Sequence, residues 1–172
     1  MKLPNLLPIL PVLALAAGTA LAQKVDIDFD ESVDFSKYKT FRIGDSEIKS
    51  KSPALNSDLT LKKIEAEVRK RLIERGLAES SGKPDLNVMF WLGTLPRNEV
   101  EAFPAGRYGR ATRRTVTQYT EGTLVIDLRD TSKRELVWRA VAMEDKGNPS
   151  KIVDRIDEMV KKSIEKYPPK KK

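Results

Sequence analysis

The chain has 172 residues and a formal net charge of +7, from 32 basic and 25 acidic side chains. It contains neither cysteine nor histidine, which excludes disulfides, thiol chemistry, the usual serine triad and the commonest transition-metal ligand. Since it also lacks a glycine-rich phosphate loop and a Gly-x-Ser-x-Gly turn, we predict a non-enzyme without cofactor or metal. A carboxylate-dependent hydrolase is the weakest alternative that remains.

The first 22 residues have the order of a secretory signal peptide. Lys2 precedes an uncharged, largely apolar run over residues 3–22, which ends in small residues. Three prolines in the first half of this run argue against a membrane-spanning helix. We therefore expect cleavage between Ala22 and Gln23, export to the periplasm and no transmembrane anchor afterwards. In an exported protein, the positive charge indicates anionic envelope surfaces or solubility rather than nucleic acid.

The first half of the remaining chain predicts two strands and a helix. Residues 24–30 alternate apolar and acidic side chains, as in a strand with one solvated face, and residues 38–43 form a second strand after a turn over 34–37. Residues 44–53 are polar and irregular, which is typical of a loop. A helix then begins at the capping residues 56–58, shows apolar side chains at helical spacing, and ends at Gly76.

The acidic side chains of the first strand also suggest a calcium loop. Asp26, Asp28 and Asp30 have the spacing of the first three ligands of such a loop. However, the sixth position is Glu31 instead of glycine and the twelfth is Lys37 instead of glutamate. The solvated face of a strand explains the three aspartates better, so no metal site is predicted.

The second half predicts three strands and a second helix. In chain order the predicted elements are a strand over 86–92, a long loop over 94–118, strands over 119–128 and 135–142 joined by a turn at 130–133, a helix from Pro149 to Pro168, and a basic tail over 170–172. The order is ββαβββα within one domain over residues 23–169. This order predicts an α+β fold of two layers, with a largely antiparallel five-stranded sheet and both helices on one face.

Several segments resemble domain-of-unknown-function family 4136. They are residues 25–30, 34–41, 84–88, 121–128 and 136–139, with Tyr167-Pro168-Pro169 at the end of the last helix. The stretches Gly-Thr-Leu-Val-Ile-Asp-Leu and Leu-Val-Trp-Arg are the most specific of these. The resemblance implies an exported bacterial envelope domain, and many members of the family are lipoproteins, but it implies no chemistry. This chain departs from those lipoproteins at Gln23, where they carry cysteine.

The predicted loop over residues 94–118 is the first candidate binding segment. A loop of that length is uncommon unless it is functional or disordered. Arginine with aromatic side chains can bind phosphate or carboxylate groups of a lipid, glycan or small molecule, and a solvated mobile loop is the alternative. The candidate residues are Arg107, Tyr108, Arg110, Arg113 and Arg114.

The sheet face turned away from the helices is the second candidate. If Leu86, Val88, Phe90, Leu124, Ile126 and Trp138 point inward, the alternation turns a second apolar set outward, namely Met89, Trp91, Val125, Val137 and Val141. So much outward apolar surface indicates a cover: the arginine-rich loop, a second copy of the chain, or another protein. We therefore predict a non-catalytic interaction domain with an envelope protein as partner, and the alternative is a binder of an anionic envelope component.

Overall fold

A computed structural model describes residues 24–105, 111–145 and 149–170, with side chains described for 24–94, 122–144 and 149–170. The predicted signal peptide, its cleavage site at Ala22 and Gln23, and the last two residues of the tail lie outside these ranges. The elements within them are β1 (Lys24–Phe29), β2 (Thr40–Ile43), β3 (Glu47–Lys49), α1 (Asp58–Glu74), β4 (Ala78–Glu79), β5 (Leu86–Ala105), β6 (Ala111–Asp130), β7 (Glu135–Asp145) and α2 (Pro149–Ile164).

The described strands form one mixed sheet in the order β1-β7-β6-β5-β2-β4, with β3 also beside β5. β1, β7, β6 and β5 pair antiparallel, whereas β2, β3 and β4 join in parallel. The α+β class and the two helices are confirmed, but a five-stranded, largely antiparallel sheet is wrong. β3 lies inside the predicted loop over 44–53, and both it and β4 are too short for alternation to reveal them.

The prediction of a loop over residues 94–118 is also wrong, because most of this segment belongs to β5 and β6. β5 and β6 stay paired along their whole length, from Leu86 opposite Asp130 to Ala105 opposite Ala111, and only residues 106–110 between them are outside the description. Pro96 and Pro104 fit this arm because β5 is an edge strand there among the described elements. The amide of Phe90 already faces away from β6, toward Ser46. Backbone amides alternate in direction along a strand, so the nitrogens of Pro96 and Pro104 also face away from β6. Proline at these two positions therefore removes no hydrogen bond to β6.

Helix α1 has the sequence signals that were predicted for it. The Ser57 hydroxyl accepts a hydrogen bond from the amide of Thr60 at 3.2 Å and caps α1. Gly76, with φ of 87°, lies in the left-handed conformation that follows the helix end. Only glycine adopts this conformation without a steric cost, so the chain can turn back here toward β4 and β5.

The core lies between the helices and one face of the sheet. The residues predicted to point inward are confirmed, since Leu86, Val88, Phe90, Leu124, Ile126 and Trp138 are all almost fully buried. They pack against the apolar stripes of the helices, namely Ile64, Val68 and Leu72 of α1 and Ile152, Ile156, Met159 and Val160 of α2. Burial of each such side chain contributes roughly 1.5–3 kcal/mol. We call this the inner face of the sheet, and the opposite one the outer face.

Candidate functional site

The outer face is uncovered by any helix in the described part of the chain. Across β1, β7, β6 and β5 it presents two neighbouring rows of side chains, Asp26–Val141–Val125–Trp91 and Asp28–Arg139–Asp127–Met89. Aspartates on the edge strand β1 give way to apolar and paired charged side chains toward β5. The face is therefore neither a solvated polar surface nor a core surface, but a mixture of the two.

A cluster of three side chains, Trp91, Asp127 and Arg139, occupies the centre of this face; we call it the outer cluster. Arg139 donates two hydrogen bonds to Asp127, Nε to Oδ1 at 2.7 Å and Nη2 to Oδ2 at 2.8 Å. Asp127 is 0% exposed although it lies on the open side of the sheet. The hydrogen bonds to Asp127 raise the pKa of the Arg139 guanidinium further above its ordinary value.

The same guanidinium also contacts the tryptophan. Its central carbon lies 5.3 Å from the ring centroid of Trp91, within the range of a cation–π interaction. A second cation, Arg129, approaches Asp127 at 3.7 Å. The planar fork of Arg139 is thus fixed on one side by a carboxylate and on the other by an aromatic ring. The half-buried ring of Trp91 therefore lies against a guanidinium that is itself held by Asp127.

Four of the five predicted outer-face residues are found there, and Val141 lies between Asp26 and Val125. Met89 and Trp91 are half-buried on the outer face, and Val125 lies between Trp91 and Val141 with 7% of its surface exposed. The prediction for Val137 is wrong: it is 2% exposed and belongs to the core. The reason is a β-bulge, because Leu128 pairs with Trp138 while Arg129 pairs with Leu136, which leaves Val137 as an extra residue.

The predicted arginine-rich site falls largely outside the described residues. Arg107, Tyr108 and Arg110 lie in the segment over 106–110, which is not described. Arg113 and Arg114 belong to β6, opposite Phe103 and Ala102 of β5. Their backbone register is known but their side chains are not described, so anion binding by these five residues stays a prediction.

The sequence interpretation missed the outer cluster. Asp127 and Arg139 belong to the strands predicted over residues 119–128 and 135–142. Alternation placed each on the correct face, but their pairing depends on the β6–β7 register, and the bulge shifts that register by one residue. A search for opposite charges that become neighbours across the hairpin with a one-residue shift would have found the pair.

A second buried carboxylate, Asp130, stabilises the turn between β6 and β7. Its Oδ1 accepts hydrogen bonds from the amide and hydroxyl of Ser132 at 2.9 and 2.6 Å and from the amide of Lys133 at 3.1 Å. Its Oδ2 accepts one from the Tyr38 hydroxyl at 2.9 Å. The hydrogen bond from the Ser132 hydroxyl is the largest cause that holds the pKa of Asp130 far below its usual range. The same turn brings Arg134 into the left-handed conformation, with φ of 63°.

The described residues contain no group of three or more acidic side chains placed to hold a metal ion. None of the helices in the described ranges is long and apolar enough to span a bilayer. The outer cluster offers groups for stacking, ion pairing and hydrogen bonding.

The fold and the outer face define a two-layer α+β domain with one sheet face that no described helix covers. The chain belongs to the family described as domain of unknown function DUF4136, which matches residues 25–169. The family predicted from sequence is therefore confirmed. No curated protein matches the chain.

Three solved structures share the fold. A DUF4136 family protein from Bacteroides thetaiotaomicron has a TM-score of 0.56 and 15% identity over 85% of this chain and 96% of its own. A PDZ domain protein from Parabacteroides distasonis has a TM-score of 0.60 and 14% identity over 86% of this chain. This chain spans only 36% of that protein. PelC from Paraburkholderia phytofirmans, a dodecamer, has a TM-score of 0.51 and 11% identity over 82% of this chain and 96% of its own.

Proposed function

We propose that this chain is a non-catalytic domain of the bacterial cell envelope that binds another protein chain through its outer face. The observation that carries the proposal is the outer cluster, in which Arg139 and Asp127 hold Trp91 on a sheet face that no described helix covers. Tryptophan and arginine are the side chains most enriched among residues that dominate binding energy at protein interfaces. Because Trp91 is already held in place, a partner loses little conformational entropy by contacting it.

A role without catalysis fits the two buried carboxylates of β6. Asp127 is paired with Arg139, and Asp130 accepts hydrogen bonds from a turn and from Tyr38. Each therefore has a structural role. The signal-like sequence over residues 1–22 supports the envelope location.

A second copy of this chain is the partner that we favour. PelC, which shares the fold, forms a dodecamer. The outer face also has the mixed composition of a non-obligate interface, with Trp91 and Met89 among charged side chains. An exposed edge strand, β1, borders this face and carries Asp26 and Asp28, charges of the kind that prevent uncontrolled pairing of sheet edges.

In-cell photo-crosslinking of the exported protein tests this function. A photo-reactive residue at position 91 is compared with one at Lys62, an exposed position on α1. We expect a discrete protein adduct from position 91 and none from position 62, and mass spectrometry should identify it as a dimer of the chain. An adduct with a different protein would keep the interaction function but replace its partner. No protein adduct at position 91, or equal adducts at both positions, would overturn the proposal.

A further inference from the structure

A cavity opens at the end of the outer face beside the β6–β7 turn. Its volume is about 760 Å³, within the range of roughly 300–1,000 Å³ that small-molecule sites occupy. Strands β2, β5 and β6, the segment before β5 and the β6–β7 turn all contribute to its wall. We call it the basic groove and define it by Arg42, Lys83, Asn87, Arg129, Thr131 and Arg134.

The groove carries a strong excess of positive charge. Four cations line it, and three of them, Arg42, Lys83 and Arg134, are exposed and have no ion pair with any residue whose side chain is described. The one carboxylate in the wall is Asp130, whose oxygens already accept hydrogen bonds from the turn and from Tyr38. Asp130 also has its own cation, because Lys37 Nζ lies 3.4 Å from its Oδ2, so Arg42 and Arg134 remain available to an anion.

Polar atoms in the groove wall also lack partners. Arg129 Nε, Thr131 Oγ1 and Asn87 Oδ1 are each buried without a hydrogen bond to any described residue. Buried polar atoms are normally paired, because the loss of water is otherwise uncompensated. Three unpaired atoms in the wall of one cavity are unusual, and two of them, on Arg129 and Thr131, are donors. Since these atoms are enclosed in the wall, the donors that an incoming oxyanion can reach are the exposed charged groups of Arg42, Lys83 and Arg134.

The cations reach the cavity from different directions. Arg42 lies on β2, Lys83 in the segment before β5, Arg129 at the end of β6, and Arg134 in the turn. The left-handed φ of Arg134, with its amide bonded to the Asp130 carbonyl at 2.7 Å, fixes that part of the wall. A tetrahedral phosphate presents oxygens in several directions at once, whereas a planar carboxylate suits one guanidinium fork.

We propose that the basic groove binds a phosphate-bearing ligand with more than one negative charge, on the basis of the four cations that converge on one cavity. The cavity is much larger than a single phosphate group, and Met89 adds an apolar wall to it. The ligand is therefore a phosphorylated molecule with an additional body, either soluble or the headgroup of a lipid. This proposal does not rest on the protein-binding function of the outer cluster.

Calorimetric titration of the exported chain at about 0.15 M salt tests the groove, since this ionic strength screens charges beyond roughly 8 Å. The probes are inorganic pyrophosphate, citrate as a carboxylate of similar charge, and vesicles of phosphatidylglycerol. We expect saturable binding of pyrophosphate that is tighter than that of citrate. Binding of vesicles alone, lost in the groove variant below, would assign the phosphate to a lipid headgroup. Tighter binding of citrate would overturn the phosphate assignment.

Two double variants with the same loss of charge separate a site from general attraction. Arg42→Gln with Arg134→Gln removes two groove cations, and Lys62→Gln with Lys151→Gln removes two exposed cations on the helices. We expect the groove variant to weaken pyrophosphate binding by about tenfold or more, as expected for charge-assisted hydrogen bonds. The helix variant should change it less than about twofold. Equal losses in both, or no saturable binding of any probe, would overturn the proposal.

Discussion

The two faces of the same three strands, β5, β6 and β7, meet opposite physical demands. On the inner face, Phe90 and Ile126 are packed beneath the helices with almost no exposed surface. On the outer face, their chain neighbours Trp91 and Asp127 are held by Arg139 through a cation–π contact and two hydrogen bonds. Shape and apolar area determine the inner face, whereas a few directional contacts determine the outer one. The inner face therefore fixes the fold, and the outer face is the one through which we propose that the chain binds another protein.

Neighbouring aromatic residues give the largest expected difference between the faces. We expect Phe90→Ala to lower the free energy of unfolding by about 3–5 kcal/mol, because it leaves a cavity in the core. Trp91→Ala should lower it by only about 1 kcal/mol, since the ring is half-buried and its cation–π contact is weak. Urea denaturation of both variants measures the two values. Similar losses for the two variants would show that the outer face contributes to the core after all.

The ion pair of the outer cluster should have the next largest effect. We expect Arg139→Met to lower the free energy of unfolding by about 2–3 kcal/mol, because Asp127 stays buried without its two hydrogen bonds. The value lies below that of a fully buried pair, since the Arg139 side chain is 34% exposed and Arg129 remains near Asp127.

A double-mutant cycle tests the cause of that loss. Asp127→Leu combined with Arg139→Met should recover much of the stability, because no unpaired charge is left in the sheet. If the double variant is as unstable as the sum of the two single variants, the pair is not coupled and the outer cluster is not a unit.

The sequence predicts the inner face of the sheet well and the contacts of the outer face poorly. Alternation of Leu124 and Ile126 was enough to assign the inner face, and the cap Ser57 and terminus Gly76 were enough to bound a helix. These are local signals, and each corresponds directly to burial in the core or to the end of a helix. The outer cluster depends on which residue of β7 lies opposite Asp127, and a bulge that no local pattern reveals decides that register.

Two further differences between the prediction and the structure also arise from strand pairing between distant parts of the chain. The proline and glycine residues of the segment 94–118 favoured a loop, but an edge strand tolerates proline wherever its amide faces away from its partner. The strands β3 and β4 have three and two residues, and tertiary pairing to β5 and β2 creates them rather than intrinsic propensity. The basic groove combines residues from five separate segments, so only the fold brings its charges together.

Two glycines on neighbouring strands should show the same difference between the faces, with a smaller effect on the free energy of unfolding. A β-carbon added to Gly122 would lie 2.7 Å from Cγ2 of Ile152 in α2, whereas one added to Gly93 would meet only the Lys49 carbonyl at 3.7 Å. We expect Gly122→Ala to lower the free energy of unfolding by about 1–2 kcal/mol through overpacking. Gly93→Ala should stay within about 0.5 kcal/mol of the parent chain. Thermal and urea unfolding of the two variants measure this difference, and equal values would mean that α2 does not press on the sheet at Gly122.

The smallest effect should appear in the pH dependence of stability, and it comes from Asp130 at the turn that joins β6 and β7. The pKa of Asp130 is held low by hydrogen bonds, first from the Ser132 hydroxyl and then from the Lys133 amide and Tyr38. In the unfolded chain these hydrogen bonds are absent, so Asp130 takes up a proton near pH 3.9. The stabilisation is therefore present above about pH 4 and is lost as the pH falls toward the folded value.

We expect Asp130→Asn to lower the free energy of unfolding by about 1 kcal/mol at pH 7 and to make the decline below pH 4 shallower. Tyr38→Phe should give a smaller change of the same sign, because it removes one donor and leaves the three from the turn. Part of the slope should survive in Asp130→Asn, since the pKa of Asp85 is also lowered, mainly by the amide of Lys39. Urea unfolding at a series of pH values between 2 and 7 measures these slopes. An unchanged slope in Asp130→Asn would show that the turn, and with it the wall of the basic groove, does not depend on the charge of this carboxylate.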